Sequence, residues 1–449
     1  MVGKDGITVN VVAPGLAMTP AVAKDMPPEI VQAQVKARAI QRDETGEDLV
    51  GTVFFLASPG VDFMSGQTLD VDGGKHMLCG AEKDIAMTSL FDSFDLGGFR
   101  LPNRIAMSAM TRTRASEDDV PTDVMRDYYV QRASAGLIVT ECTQVSDQAH
   151  GIIRAPGIHR PDQIAAWRKI TDAIHVAGGR IYCQIWHCGR VAHPDMRGGE
   201  APVGPSPIPA TGDFFLPTGR VEFPVPRELS IDEIPGIVAD FAQATRNARG
   251  AGFDGVELHG ANGYLQDQFL QDGSNQRADA FGGPVENRAR LMLETTTAMI
   301  DAWSADRVGV RLSPSSYLYG VDDSDKLGTF GFVIRALDAL GVGYLCLLEP
   351  NAKDAERGVQ IRNVAETFRP MTTAPIIVNT GFDKAKANAV LAKGDADLVA
   401  FGVPYIANPD LVERFRRDAP LNKPDPSFFY GAGAKGYTDY PALPTVAAV

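Results

Sequence analysis

The stretch SIDEIPGIVADFAQATRNARGAGFDGVELHGANGY, Ser230–Tyr264, decides the fold. Ser230 and Glu233 have the spacing of a capping box, and Ile234, Ile237, Val238 and Phe241 then recur at helical spacing. The pattern stops at Gly250-Ala251-Gly252, after which Val256 and Leu258 supply a short strand and His259 emerges at its C-terminal end. A helix followed by a buried strand is one turn of a parallel α/β architecture.

Working outward, the same unit repeats from Leu90 onward. Strands are expected at Arg104–Ser108, Leu137–Glu141, Ile181–Trp186, Gly255–His259, Val308–Ser313, Tyr344–Leu348, Ile376–Asn379 and Leu398–Gly402. Eight such runs separated by helices or long loops predict a closed (β/α)8 barrel, with function gathered at the C-terminal ends of its strands. Phe91–Pro102, with its Gly97-Gly98 pair, reads as a hairpin closing the opposite mouth.

Upstream the character changes. Residues 7–13 form a β-branched run ended by Pro14-Gly15; helical patterns begin near Pro28 and span Gly46 to Ser58, and Gln67–Val71 is a second strand stopped by Asp72-Gly73-Gly74. The stretches NVVAPGLAMT and MSGQTLDVDGG make this part resemble the C-terminal third of a short-chain dehydrogenase/reductase. The α/β chain is therefore expected to hold a partial Rossmann-like fragment at 1–74, a linker at 75–89, and the barrel at 90–449. In the resembled family the glycine-rich dinucleotide turn and a Tyr-x-x-x-Lys pair lie upstream of such a fragment, so this piece is expected to be inactive. Thr19 matches a position near the nicotinamide, a single contact that cannot replace a phosphate-cradling loop. Two strands also fall short of what a sheet needs for independent stability. The fragment reads either as a fusion artefact, the second part starting afresh near Met87, or as a docking or oligomerisation module.

At 449 residues, with 44% hydrophobic and 22% charged residues, the chain has the balance of an ordinary globular protein. Its formal charge of −13 disfavours nucleic acid and anionic membranes as partners. A secretory leader or membrane span is not expected, and a cytoplasmic location is. The five cysteines are scattered and not in CxxC pairs, which argues against a disulfide framework or a zinc site.

His259-Gly260-Ala261-Asn262-Gly263-Tyr264 places an imidazole, a carboxamide and a phenol at a barrel rim. With LPNRIAMSAMTRTRA, QRASAGLIVTE, QIWHCGR, SNQRADAFGGPVENRAR, ANPDL and YGAGAKGYTDYP, it makes residues 90–443 resemble the old yellow enzyme family. The resemblance implies an FMN-dependent reductase of activated alkenes, driven by NADPH or NADH, acting on a small-molecule unsaturated carbonyl or nitro compound. A homo-oligomer is left open.

Carried over residue by residue, the resemblance makes His259 and Asn262 the donors to the substrate oxygen, where negative charge grows. Tyr264 becomes the proton donor to the α-carbon. Thr111, Cys142, Gln184 and Arg311 fall at the flavin ring, and a cation at Arg311 suits the negative charge that reduction adds. Thr380, Gly381, Gly402 and Val403 fall in the phosphate loops, where Val403 stands in place of the family's usual arginine; weaker FMN retention or compensation by backbone amides follows. Trp186 and Tyr430 match positions beside the substrate, and Ile152 replaces a common tyrosine, implying a more apolar pocket. His187 is expected to be a structural hydrogen-bonding residue, and Asp279, Asn287 and Arg288 to brace the loop after the catalytic strand. The related branch that carries an iron–sulfur cluster is disfavoured because no cysteine follows Cys346.

Overall fold

In a computed structural model the chain divides into two compact units, Met1–Ala86 and Met87–Val449. The structure describes residues 7–19, 22, 24, 26–36, 38, 40–62, 64–65, 67–73, 88–216 and 218–444. The expected linker at 75–89 falls outside the described residues, apart from 88 and 89.

The smaller unit pairs β1 (Val11–Pro14) in parallel with β2 (Thr68–Val71), and carries helices α1 (Pro28–Lys36) and α2 (Gly46–Leu56). The strand begins later than the β-branched run does, because the strand it pairs with starts at Thr68, opposite Val11. Pro14 is its last residue; lacking an N–H, it leaves the next ladder bond to Gly15, which donates to Val71 O at 3.1 Å. A buried ion pair, Arg38 to Glu44 at 3.0 Å, ties the connection between the helices, and the same guanidinium donates to Leu16 O at 2.9 Å. Thr19 is spent locally, its hydroxyl accepting the Val22 N–H at 3.3 Å.

In the larger unit eight parallel strands close on themselves: β5 (Ile105–Met107), β6 (Leu137–Val139), β7 (Ile181–Trp186), β8 (Gly255–His259), β9 (Val308–Leu312), β10 (Tyr344–Leu348), β11 (Ile376–Asn379) and β12 (Leu398–Phe401). Each pairs with the next, β7 with β8 through Gly255↔Tyr182, and β12 returns to β5 through Val399↔Ile105. Strands covered on both faces must be apolar nearly throughout, and all six residues of β7 are buried. β6 is shorter than its apolar run suggests because the Thr140 hydroxyl takes the Gln184 N–H at 2.9 Å, ending the ladder with a side chain. The hairpin β3 (Phe94–Leu96) and β4 (Phe99–Leu101) sits at the N-terminal mouth as expected, with Leu96 and Leu101 packed against Tyr182, Tyr344 and Leu398.

Helices α3 (Asp123–Val130), α4 (Pro161–Val176), α5 (Ile234–Gly250), α6 (Arg290–Ala302), α7 (Lys326–Ala339), α8 (Val364–Phe368) and α9 (Lys384–Lys393) separate the strands. Helix α5 starts three residues later than the capping box implies, although Glu233 still reaches back to the Ser230 N–H at 2.8 Å. Pro235 in the first turn suits that start. Ile234, Ile237 and Phe241 turn inward as the spacing predicts.

Candidate active site

The C-terminal strand ends and the segments just beyond them bring most of the singled-out residues together. His259 ends β8 and is buried. The following loop is held in shape rather than left to sample: Asn262 adopts a left-handed backbone (φ 59°), which asparagine tolerates better than most residues, and its N–H donates to Ser313 Oγ at 2.8 Å. The Gly263 N–H donates to Asp267 at 2.9 Å. This turn delivers Tyr264 so that its ring lies 5.0 Å from that of His259 at 70° and 5.1 Å from that of Trp186 at 87°.

Burial and the Arg311 cation hold the His259 pKa well below its ordinary value, so the imidazole is neutral around pH 7 and offers a single N–H. Its Nδ1 is buried without a hydrogen-bond partner, as is the Trp186 Nε1. Buried polar atoms of this kind are costly unless a ligand takes them up. Burial, and then the neighbouring Tyr319, push the Tyr264 phenol up, so it keeps its proton across the neutral range.

Beneath this triad lies a row of polar side chains from adjacent strands. The Cys142 thiol donates to Gln184 Oε1 at 3.4 Å and is also in contact with the Thr111 hydroxyl. Gln184 Nε2 donates to Glu257 Oε1 at 2.7 Å. Arg311 donates to Asn379 Oδ1 at 2.9 Å and approaches Cys346 Sγ at 3.3 Å, so its hydrogen-bond partners are neutral. Burial works against its charge, but the Cys346 and Cys142 thiols and the Glu257 carboxyl outweigh it and raise its pKa. A buried guanidinium bonded to neutral groups suits an anionic or electron-rich ligand edge.

Thr380, Gly381, Gly402 and Val403 sit just beyond the last two barrel strands. Thr380 and Gly381 both have positive φ, 83° and 80°, and a side chain on Gly381 would meet open space. Val403 opens a five-residue helix, Val403–Ala407, and is 56% exposed, so no cationic side chain is offered at that position. These residues fit a phosphate gripped by backbone groups, and the strand-end cluster fits the ring of FMN.

Tyr430 is 67% exposed, on a strap fastened over residues 112–114, and its phenol acts electrostatically on Tyr264 and Tyr319. There Arg112 donates to Phe429 O at 2.7 Å and Gly436 O at 2.9 Å, and Arg114 donates to Phe428 O and Phe429 O, each at 3.0 Å. Ile152 packs into the apolar group containing Trp186 and Tyr264, in line with its predicted place. His187 accepts the Gly189 N–H at 3.0 Å, and burial pushes its pKa to about 3, a structural role. Asp279 pairs with Arg277, Asn287 donates to Gly282 O at 3.1 Å, and Arg288 reaches Leu270 O at 2.8 Å and Asp323 at 3.0 Å, bracing the loop as expected.

Sequence reasoning passed over Glu257, Asn379 and Tyr319. The first two are polar residues inside or ending apolar strand runs, and that interruption was the available signal. Tyr319 (φ 59°) lies in an irregular loop with no period, yet its ring comes within 5.9 Å of Tyr264.

Comparison with known proteins bears on the family of each unit. A flavin oxidoreductase of Emericella nidulans is 39% identical over 377 residues, covering 78% of this chain and 97% of the relative. The 12-oxophytodienoate reductase 2 of Arabidopsis thaliana is 41% identical over 369 residues, covering 80% and 96%. Among solved structures, the old yellow enzyme homologue from Zymomonas mobilis aligns with a TM-score of 0.77 at 42% identity, covering 79% of this chain and all of that one. Morphinone reductase in complex with tetrahydroNAD aligns with a TM-score of 0.75 at 42% identity, covering 80% and 98%. Residues 1–76 match the enoyl-(acyl carrier protein) reductase family, in keeping with the short-chain reductase resemblance of the first unit. Residues 89–422 match the NADH:flavin oxidoreductase / NADH oxidase family, and the chain belongs to it, as an FMN-dependent NAD(P)H oxidoreductase of the old yellow enzyme type.

Proposed function

We propose that this protein reduces the C=C bond of alkenes conjugated to a carbonyl or nitro group, with Tyr264 as the proton donor. The observation that carries the reading is the convergence of His259, Tyr264 and Trp186 over a buried polar row, with the His259 Nδ1 left free for a ligand. His259 and Asn262 bind the substrate oxygen and stabilise the charge that grows there as the β-carbon is reduced. A neutral imidazole serves as donor without giving up a proton, which leaves protonation of the α-carbon to the Tyr264 hydroxyl.

Thr111, Cys142, Gln184 and Arg311 hold the flavin ring, and the main chain of Thr380, Gly381, Gly402 and Val403 holds the phosphate. When bound, FMN supplies the hydride, taken from NADPH or NADH. Trp186 and Ile152 exclude water from the reacting carbon and favour substrates with an apolar body; Tyr430, on its strap, contributes at the rim.

Residues 1–74 are a short-chain dehydrogenase-like unit, a reading supported by the family match of residues 1–76. A docking role for them is favoured by the apolar residues on α2, where Phe54 is 75% exposed and Val50 and Val53 each 53%.

The test is spectroscopic. The purified chain should be yellow, bleach on adding NADPH without oxygen, and recover its colour with 2-cyclohexenone. In Tyr264→Phe, bleaching should be unchanged while recovery slows by about 10²- to 10⁴-fold. Normal recovery in that variant would remove Tyr264 from the proton-donor role, and a colourless protein would remove the whole reading.

A further inference from the structure

Across four neighbouring barrel strands one row of residues stands in register: Gln184 on β7, Glu257 on β8, Gly309 on β9 and Tyr344 on β10. Glu257 lies two residues before His259, so both side chains project from the same face of β8, one layer apart. It is 1% exposed. One carboxyl oxygen accepts from Gln184 Nε2 at 2.7 Å and the other accepts from the Tyr344 hydroxyl at 2.9 Å. Gly309 makes the second bond geometrically available: a Cβ there would collide with the Tyr344 ring, so the missing side chain is the space that ring occupies on its way to Glu257.

A buried carboxyl that accepts from two donors, with a guanidinium in its field, has its charged form supported by three groups. Burial raises the Glu257 pKa, while Arg311, Gln184 and Tyr344 all pull it back toward the anion. The Gln184 amide is pinned at both ends, its NH₂ on Glu257 and its oxygen on the Cys142 thiol, so the carboxylate is one bond removed from the proposed flavin ring site. Arg311 is the cation expected to favour negative charge on that ring, and Glu257 is the carboxyl whose field acts on it.

We propose that Glu257 is a positioning residue whose buried negative charge offsets Arg311 and thereby limits how strongly the site favours reduced over oxidised FMN. The effect runs through Arg311 and Gln184, without contact between Glu257 and substrate. It keeps the bound flavin reducing enough to pass hydride on. The inference rests on the flavin-site reading above, and extends it to a residue for which that reading has no role.

Two variants of the full-length holoenzyme separate charge from shape. Glu257→Gln keeps the size and removes the charge, its amide oxygen still accepting from Gln184 while its NH₂ donates to the Tyr344 oxygen in place of the bond Glu257 accepts there; Glu257→Asp keeps the charge and shortens the reach. The readout is the ratio of the affinities for reduced and oxidised FMN, obtained from the midpoint potential of the bound cofactor against redox dyes. Loss of a buried unit charge should shift that ratio at least about tenfold toward reduced FMN, or about +30 mV for a two-electron couple, with Glu257→Asp staying within about threefold of the parent. A Glu257→Gln ratio within about threefold of the parent would overturn the proposal, as would a larger shift in Glu257→Asp. Failure of Glu257→Gln to fold with FMN would overturn it too, because the carboxylate would then be serving the fold. Failure of the underlying reading shows earlier and separately, as a parent protein that binds no FMN.

Discussion

Glu141, just past the end of β6, is a carboxyl that the fold disfavours in its charged form. Burial pushes its pKa from 4.5 up to about 7, against the pull of the Arg112 N–H and the Tyr129 hydroxyl, each at 3.3 Å. A folded pKa above the unfolded one means that the native state holds a proton the unfolded chain releases. This group's contribution to stability is therefore fully present below pH 4.5, declines as pH rises, and has been lost above about 7. The shift corresponds to at most about 3 kcal/mol. Glu141→Gln should raise the melting temperature at pH 8 and show a smaller gain at pH 5; equal gains at both values would contradict the assignment. At this scale the sequence was informative where chemistry sits in a contiguous motif, as in His259-Gly260-Ala261-Asn262-Gly263-Tyr264. For Glu257 and Asn379 it offered only an interrupted apolar run, because a single polar residue in such a run acquires meaning only from the neighbouring strand that faces it. Tyr430 was placed near the cavity by its motif, and the structure carries it, largely exposed, on the strap, with its phenol in the field of Tyr264 and Tyr319.

Among the elements, the barrel strands were the most legible. Four of the eight, β7, β8, β10 and β11, have the bounds their apolar runs predict, since a strand buried on both faces is marked along its full length. The others differ at their ends, where side chains rather than composition decide: β6 stops when Thr140 takes over a ladder bond. Glycines within the strands were not legible as packing devices. Gly255 lies against the Tyr182 ring and Gly309 against the Tyr344 ring, each too close for a Cβ. Gly309→Ala should therefore overpack the lower barrel and cost about 1 to 3 kcal/mol, measured by thermal unfolding of the FMN-bound protein. An unchanged melting temperature would mean that the Tyr344 ring can move aside. The same substitution would also disturb the Tyr344 to Glu257 bond, so its potential should move less than that of Glu257→Gln.

For the molecule as a whole, the change of character between the halves of the sequence corresponds to the division into Met1–Ala86 and Met87–Val449. Because the strand-end cluster lies entirely in the second unit, removing residues 1–86 should leave FMN content and alkene turnover within about twofold of the full chain. Loss of bound flavin in the shortened protein would show that the first unit supports the barrel, and comparing the size of the two proteins in solution tests the docking role. The strap bearing Tyr430 has a wider consequence. Arg112 and Arg114 grip carbonyl oxygens of Phe428, Phe429, Lys435 and Gly436, atoms that every amino acid carries. Side chains at Tyr430, Ala432 and Ala434 are thus free to be exchanged without unfastening the segment, while Gly431 and Gly433, at φ 144° and 77°, keep its course, so new substrate preferences can evolve at the rim while the anchorage stays unaltered.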